Sequence, residues 1–451
     1  MKRHNIAFIS EHASPLASPG SIDAGGQNVY VRELALELEK LNFRIDIFTR
    51  RDSESLPEIV EINENIRVIH VESGPATYIP KEELMPWMDD FSRFMVSFIQ
   101  NTGIKYNLIH ANFFMSGMVA MKIREILKIP FVITFHALGI VRALHQKEAD
   151  KFPKERIFYE KKIVDKADKI IAECPQDAED LINLYNANPA RMDIIPCGFN
   201  PKELDPVNKR TARAKLNIEP EAHVILSVGR IVPRKGVDNI ITSLKYLKNK
   251  VSNLKLIIVG GDADEAHGPS ASEMKRLRNL ASKHRVSDLI EFAGPKQPLE
   301  LKYYYSAADI FISTPWYEPF GITPLESMAC GTPVIGSDVG GIKYTVKDGE
   351  TGFLVPPKKP LHLARKVAML LNNKMLLHQM RYNSLKRVNS LFTWEQVAQD
   401  MKSAYFDIMV SKPLPGYISV GQSLVGRELV PVKNLSLIKE KHIRVQQYKN
   451  N

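Results

Sequence analysis

The chain is poor in cysteine: Cys174, Cys197 and Cys330 are its three, far apart and in no paired spacing. An odd, scattered set excludes a disulfide framework and a zinc finger, and it points to a reducing compartment. Long hydrophobic runs are also missing. No stretch reaches the length a bilayer span needs, and the start MKRHNIAFISEHAS lacks a long apolar region followed by a small-residue cleavage site. We therefore expect a cytoplasmic protein without a transmembrane segment. No repeat of fixed period is visible, and nothing in the pattern sets an oligomeric state.

Positive charge is in surplus, with a net +10. That balance raises nucleic-acid binding as a possibility. Against it, the chain shows no zinc-finger spacing, no aromatic RNA-binding signature and no Arg-rich block. A solvated basic surface, a Lys-rich tail (KNLSLIKEKHIRVQQYKNN) and a cluster suited to phosphorylated small molecules account for the charge, so no nucleic-acid partner is expected.

At 451 residues, two domains of ordinary size are the natural expectation. Short apolar runs alternate with helical patterns: IAFIS, RIDIFT, IRVIHV, LIHA, FVITFH, KIIAE and DIIP. After a polar stretch with three prolines, CGFNPKELDPVNKRTARAKLNIEPEAH, the pattern restarts with VILSVG, LKLIIVGG, IEFAG, DIFIST, PVIGS and GFLVP. Continuous apolar strands between helices indicate parallel sheets covered on both faces. The fold class expected is α/β, with two Rossmann-like doubly wound domains facing each other across a cleft. The boundaries expected are 1–197 and 217–392, a final helix near 393–409 crossing back, and a loosely packed or disordered tail at 411–451.

Three strand-end loops carry the chemistry. In SPGSIDAGGQNVYVRELALELEK, Gly25 and Gly26 open a helix whose Val31, Leu34, Ala35, Leu38 and Leu41 form one apolar stripe. Glycines admit close approach of a ligand, and a helix N-terminus offers N–H groups to phosphate. The loop departs from G-x-G-x-x-G, which counts against a dehydrogenase. In SVGRIVPRKGVDNII, Arg230 and Lys235 flank Pro233 just after an apolar strand, an arrangement that suits a diphosphate. In DIFISTPWYEPFGITPLESMACG, Glu318 falls on a turn and Glu326 in a short helix ending at Gly331. Two such carboxylates could bind a sugar's hydroxyls and a ribose diol, serve as the acid and nucleophile of a hydrolase, or simply be solvated.

The stretch EPFGITPLESMACGTPVIGSDVGG closely resembles the Glu-x7-Glu region of family-4 retaining glycosyltransferases of the GT-B fold. GRIVPRKG resembles their diphosphate loop. DAGGQNVYV resembles the glycine loop of the branch holding sucrose-phosphate synthases, sucrose synthases and the glycosyltransferases of mycothiol synthesis, and TFHALG their His-bearing segment. The resemblance runs from Ile6 to about Tyr405. It implies retaining transfer from a nucleotide diphosphate sugar, a UDP-sugar above all; the small, phosphorylated sugar or polyol expected as acceptor follows instead from the positive charge and free N–H groups gathered by Gly25, Gly26, His12 and Lys81 on strand-end loops. Glu318 would touch donor-sugar hydroxyls, Glu326 the ribose, and Arg230 and Lys235 the diphosphate. Gly26 would let the domains close, and His136 would sit beside the transferred sugar. Lys296 and Thr332 match weaker donor positions. On the acceptor side it implies His12, Asp23, Gly25, Gly26, Gln27 and Asn28, to which Lys81 is added from YIPKEEL. Phe113 and Ala137 depart from a Tyr and a Thr of the mycothiol enzymes. No metal or other cofactor is implied. A nucleotide-sugar-binding protein without activity is the alternative.

Overall fold

The computed structural model describes residues 3–17, 25–262, 268, 270–410, 417–420 and 429–431. Strands β1 (His4–Ile9), β2 (Phe43–Arg50), β3 (Ile59–Asn63), β4 (Ile66–Val71), β5 (Leu108–Asn112), β6 (Phe131–Thr134), β7 (Lys169–Ala172) and β8 (Met192–Ile194) belong to one sheet. Strands β9 (His223–Val228), β10 (Leu254–Val259), β11 (Ile290–Gly294), β12 (Ile310–Ser313), β13 (Val334–Ser337) and β14 (Gly352–Val355) form a second, separate sheet. Every apolar run noted above is a strand. The one strand in this span that the pattern missed, β3, alternates exposed and half-buried residues and pairs antiparallel on the edge.

Both sheets are doubly wound. The second runs β11-β10-β9-β12-β13-β14, and the interior of the first runs β8-β7-β6-β5-β1-β2-β4. Strand order therefore reverses between β9 and β12 in one domain and between β1 and β5 in the other. The crevices beyond the carboxyl ends of those pairs are where such folds bind ligands. Period-2 alternation divides the cores: Ile6 and Phe8 of β1 pack on one face, Ala7 and Ile9 on the other. Likewise Val224 and Leu226 of β9 face away from Ile225.

The polar stretch between the sheets contains a short helix, Lys209–Lys215, capped by the Asn208 side chain. Its Arg213 reaches Asp309 (3.0 Å) and the Ala307 carbonyl (3.1 Å), so the charge that hides this helix from an apolar pattern is what docks it. The helix Trp394–Val410 returns to the first domain. There Tyr405 and buried His110 share a hydrogen bond of 2.6 Å, and Trp394 packs edge-on against Tyr30. Within the tail expected to be loosely packed or disordered, two short strands are described: β15 (Tyr417–Val420) pairs parallel with β8, and β16 (Leu429–Pro431) pairs antiparallel with β15. The rest of that expectation lies outside the described residues. Among the described residues, no helix is long and apolar enough to cross a membrane.

Candidate active site

The loop after β9 runs through Arg230 into a single helical turn, Pro233–Lys235, before the helix Val237–Leu247. The loop after β12 carries Tyr317 and Glu318 into the helix Ile322–Ala329. Because β9 and β12 are neighbours at the switch point, these loops meet. The Lys235 ammonium donates to Glu318 Oε2, and Arg234 lies 3.8 Å from the same oxygen. Arg230 stands more exposed at the loop's start, and its charge still acts on both Lys235 and Glu318.

Burial opposes the charge on Glu318, but Lys235, Arg234 and Arg230 overcome it and lower its pKa. Burial also lowers Lys235, to about 8, with Arg234 and Arg230 pushing the same way and Glu318 opposing them. The site thus holds one carboxylate against three cations, a net positive cluster. Arg234 was missed by the sequence reading, although it precedes Lys235 directly. Glycine is required behind this turn: a Cβ on Gly340, at φ +46°, would fall 1.8 Å from the Glu318 carbonyl.

Glu326 sits in the next helix, where its carboxylate accepts a hydrogen bond from the Tyr305 hydroxyl at 2.6 Å. Burial raises the pKa of Glu326. Tyr305 is a second residue the sequence reading missed, because it comes from a distant helix. Thr332 requires a correction: it is fully buried and its hydroxyl donates to the Tyr305 carbonyl (2.7 Å), so it supports Tyr305 and does not face the cleft. Lys296 lies over the Tyr304 ring, 5.9 Å from its centroid, on the loop after edge strand β11, with β10 between it and β9. Tyr305→Phe should remove the donor that orients Glu326. If the donor is the nucleotide sugar that the resemblance implies, the expected result is a donor KM raised by about 1–2 kcal/mol in free-energy terms, with kcat changed less. Steady-state kinetics with donor varied checks this.

The first domain supplies the opposite wall. Gly25 caps the helix Gly26–Lys40, and a Cβ on Gly26 would lie 3.5 Å from Ile322, at the start of the Glu326 helix. No acidic residue occupies this helix's first turn, so its positive end is not cancelled locally. The side chains of Gln27 and Asn28 are spent within the fold. Gln27 donates to Ser10 Oγ (3.1 Å) and the Asn112 carbonyl (3.3 Å); Asn28 accepts from the Gly25 amide (2.9 Å) and donates to the Ser14 carbonyl (2.9 Å). These bonds shape the loop that precedes and opens the helix. Asp23 lies outside the described residues.

His136 follows β6 with φ +56°, a left-handed conformation unusual for a non-glycine residue and common where function stores strain. Its Nδ1 meets Glu173 at 2.9 Å and its Nε2 meets Asn112 Oδ1 at 3.0 Å. Both ring nitrogens are therefore engaged inside the protein, and the imidazole is tethered. Glu173 and Asn112 were not foreseen; each looks like an ordinary strand-end polar residue in the sequence. Lys81 lies in the one-turn helix Lys81–Glu83, 3.8 Å from Glu82, and Arg142 lies 3.6 Å from the same carboxylate. His12 pairs with buried Glu11 at 2.7 Å and packs edge-on against Phe113 at 5.0 Å.

The two walls already touch. Gln146 donates to the Tyr317 hydroxyl, the His145 ring stacks on Tyr317 at 5.0 Å, and Lys343 reaches Gln176 at 2.6 Å.

Two separate doubly wound sheets, each opening its switch point toward the other, with cations gathered on one lip, define a GT-B glycosyltransferase. The model of Glycosyltransferase Family 4 matches residues 24–203, and that of Glycosyl transferases group 1 matches residues 208–387. The D-inositol 3-phosphate glycosyltransferase of Corynebacterium glutamicum (strain R) is 34% identical over 417 residues, 91% of this chain and 98% of that protein. Among solved structures, the sucrose-phosphate synthase from Thermosynechococcus elongatus matches with a TM-score of 0.83 at 34% identity, covering 91% of this chain and 100% of that one. The Anabaena protein HepE in complex with UDP-glucose matches with a TM-score of 0.68 at 18% identity over 88% of this chain and 98% of that one, a likeness of fold alone. The chain belongs to the GT-B glycosyltransferases built from these two domains.

Proposed function

We propose that this enzyme transfers a sugar, with retention of configuration, from a UDP-sugar to a small phosphorylated sugar or polyol. The observation that carries the reading is the convergence of Arg230, Arg234 and Lys235 on Glu318 at the switch point of the second sheet. Three fixed cations match the charge that grows on a departing nucleoside diphosphate, while Glu318 is kept ionised and able to accept from sugar hydroxyls. Glu326, oriented by Tyr305, fits a ribose diol. Retention rests on the resemblance of the Glu318–Glu326 region to retaining enzymes. The first domain takes the acceptor and the second the donor. A phosphorylated acceptor is supported by the names of two relatives, one acting on D-inositol 3-phosphate and one a sucrose-phosphate synthase. It is supported further by the helix N-terminus at Gly26, whose first turn carries no acidic residue.

The test is a panel of UDP-, ADP- and GDP-sugars against matched acceptors, fructose 6-phosphate with fructose and inositol 3-phosphate with inositol. Each is run with and without a chelator, and the anomeric configuration of product is read by NMR. UDP release, faster turnover of the phosphorylated member of each pair, indifference to chelation and a retained anomer are expected. Release of no nucleotide under any condition would favour the binding protein without activity. Faster turnover of the neutral sugars would overturn the acceptor-phosphate part alone.

A further inference from the structure

We propose that Glu11 is a positioning residue for acceptor recognition: it keeps a proton on Nδ1 of His12 and so leaves Nε2 to meet an acceptor hydroxyl. This rests on the assignment of the acceptor to the first domain. Glu11 follows β1 by two residues and is fully buried. Its two oxygens have different partners. Oε2 accepts from the Ser116 hydroxyl, and Ser116 Oγ in turn accepts from the Glu11 amide at 3.3 Å, which commits the hydroxyl proton to the carboxylate. Oε1 stands 2.7 Å from His12 Nδ1. A buried carboxylate needs donors on both oxygens. Among the described residues, His12 is the basic side chain within ion-pair distance of Glu11, so Nδ1–H is the donor that Oε1 requires.

The other nitrogen is what makes this more than packing. His12 and His136 each lean by Nδ1 on a buried carboxylate, Glu11 and Glu173. His136 then spends Nε2 on Asn112, whereas Nε2 of His12 has no hydrogen-bond partner among the described residues. The His12 side chain keeps 10% of its exposure, with the Phe113 ring edge-on against it. It follows Ser10, which accepts from Gln27, on the loop that leaves β1 at the switch point of the first sheet, where an acceptor would enter. Fixing the proton inward is how a carboxylate sets the tautomer and tilt of a ligand-binding imidazole.

The proton positions can be read directly. In 15N-histidine-labelled protein, with His12 assigned by the signal lost in His12→Gln, long-range 1H–15N correlation should show Nδ1 protonated in the wild type. Glu11→Gln retains a carbonyl that can accept from Nδ1–H and should preserve the pattern. Glu11→Met offers no acceptor and should move the proton to Nε2. In kinetics, Glu11→Met should raise the acceptor KM about tenfold while leaving donor KM and UDP affinity unchanged, and Glu11→Gln should restore most of the loss. An unprotonated Nδ1 in the wild type overturns the proposal, whether or not the variants fold. So does a Glu11→Met enzyme with unaltered tautomer and acceptor KM. If the wild type turns over no acceptor at all, the assigned function fails, while the His12 spectrum still decides the role of Glu11.

Discussion

Lys235→Ala is expected to lower kcat/KM for the nucleotide sugar by about two to three orders of magnitude, the scale of losing one preorganised donor to a developing anion, roughly 2.7–4 kcal/mol. The ammonium is held against Glu318 in a largely buried position, where an electrostatic contact is little screened. Its removal also leaves Glu318 with Arg234 at 3.8 Å as its nearest compensating charge. Arg230→Ala should act in the same direction but by less, because that side chain is exposed and water screens it. The double variant should lose less than the sum of the singles if both cations serve one diphosphate. The measurements are donor kcat and KM, UDP affinity by calorimetry, and circular dichroism to confirm the fold. Unchanged kinetics in both single variants would mean that neither cation serves the donor.

Much of the architecture could be read from the chain because parallel strands buried on both faces leave continuous apolar runs. IAFIS and LKLIIVGG each have an unbroken buried segment and became β1 and β10. VILSVG and DIFIST likewise became β9 and β12, and the loops that follow them place Arg230 and Lys235 on one side and Glu318 and Glu326 on the other. What stayed hidden depends on pairing between distant segments. Glu11 and Ser116 are separated by 105 positions, and His136 and Glu173 by 37, so no local spacing links them. Arg234 is adjacent to Lys235, yet its relevance appears only when β9 and β12 bring their loops together. Thr332 shows the opposite error: a residue placed by motif resemblance whose hydroxyl turns out to be consumed by a backbone carbonyl. β3 escaped because an edge strand with a wet face has no continuous run, and β15 because the signal for pairing resides in β8.

Glu318→Gln is expected to cut turnover by tens- to hundredfold, roughly the 1.5–3 kcal/mol of a hydrogen bond to a charged group, and to move the pH dependence in a direction that identifies its partner. Burial, with Arg234 and Arg230, brings Lys235 down to about 8, while Glu318 holds it up. In the free enzyme the Lys235 charge is therefore present below about pH 8 and is lost as pH rises through that value, well before an ordinary lysine near 10.4. Donor kcat/KM, which reports the free enzyme, should fall along that alkaline limb. Removing the Glu318 carboxylate takes away the one charge that opposes the shift, so the limb should move to lower pH. Arg234→Ala removes a like charge, so its limb should move to higher pH. Once the diphosphate is bound, its own negative charge favours the ammonium, and the limb in kcat should lie above the limb in kcat/KM for all three enzymes. Profiles from about pH 6 to about pH 10 distinguish these cases. Coincident alkaline limbs in wild type, Glu318→Gln and Arg234→Ala would mean that Lys235 does not carry the donor's diphosphate, and that Glu318 is held ionised for a purpose other than tuning it.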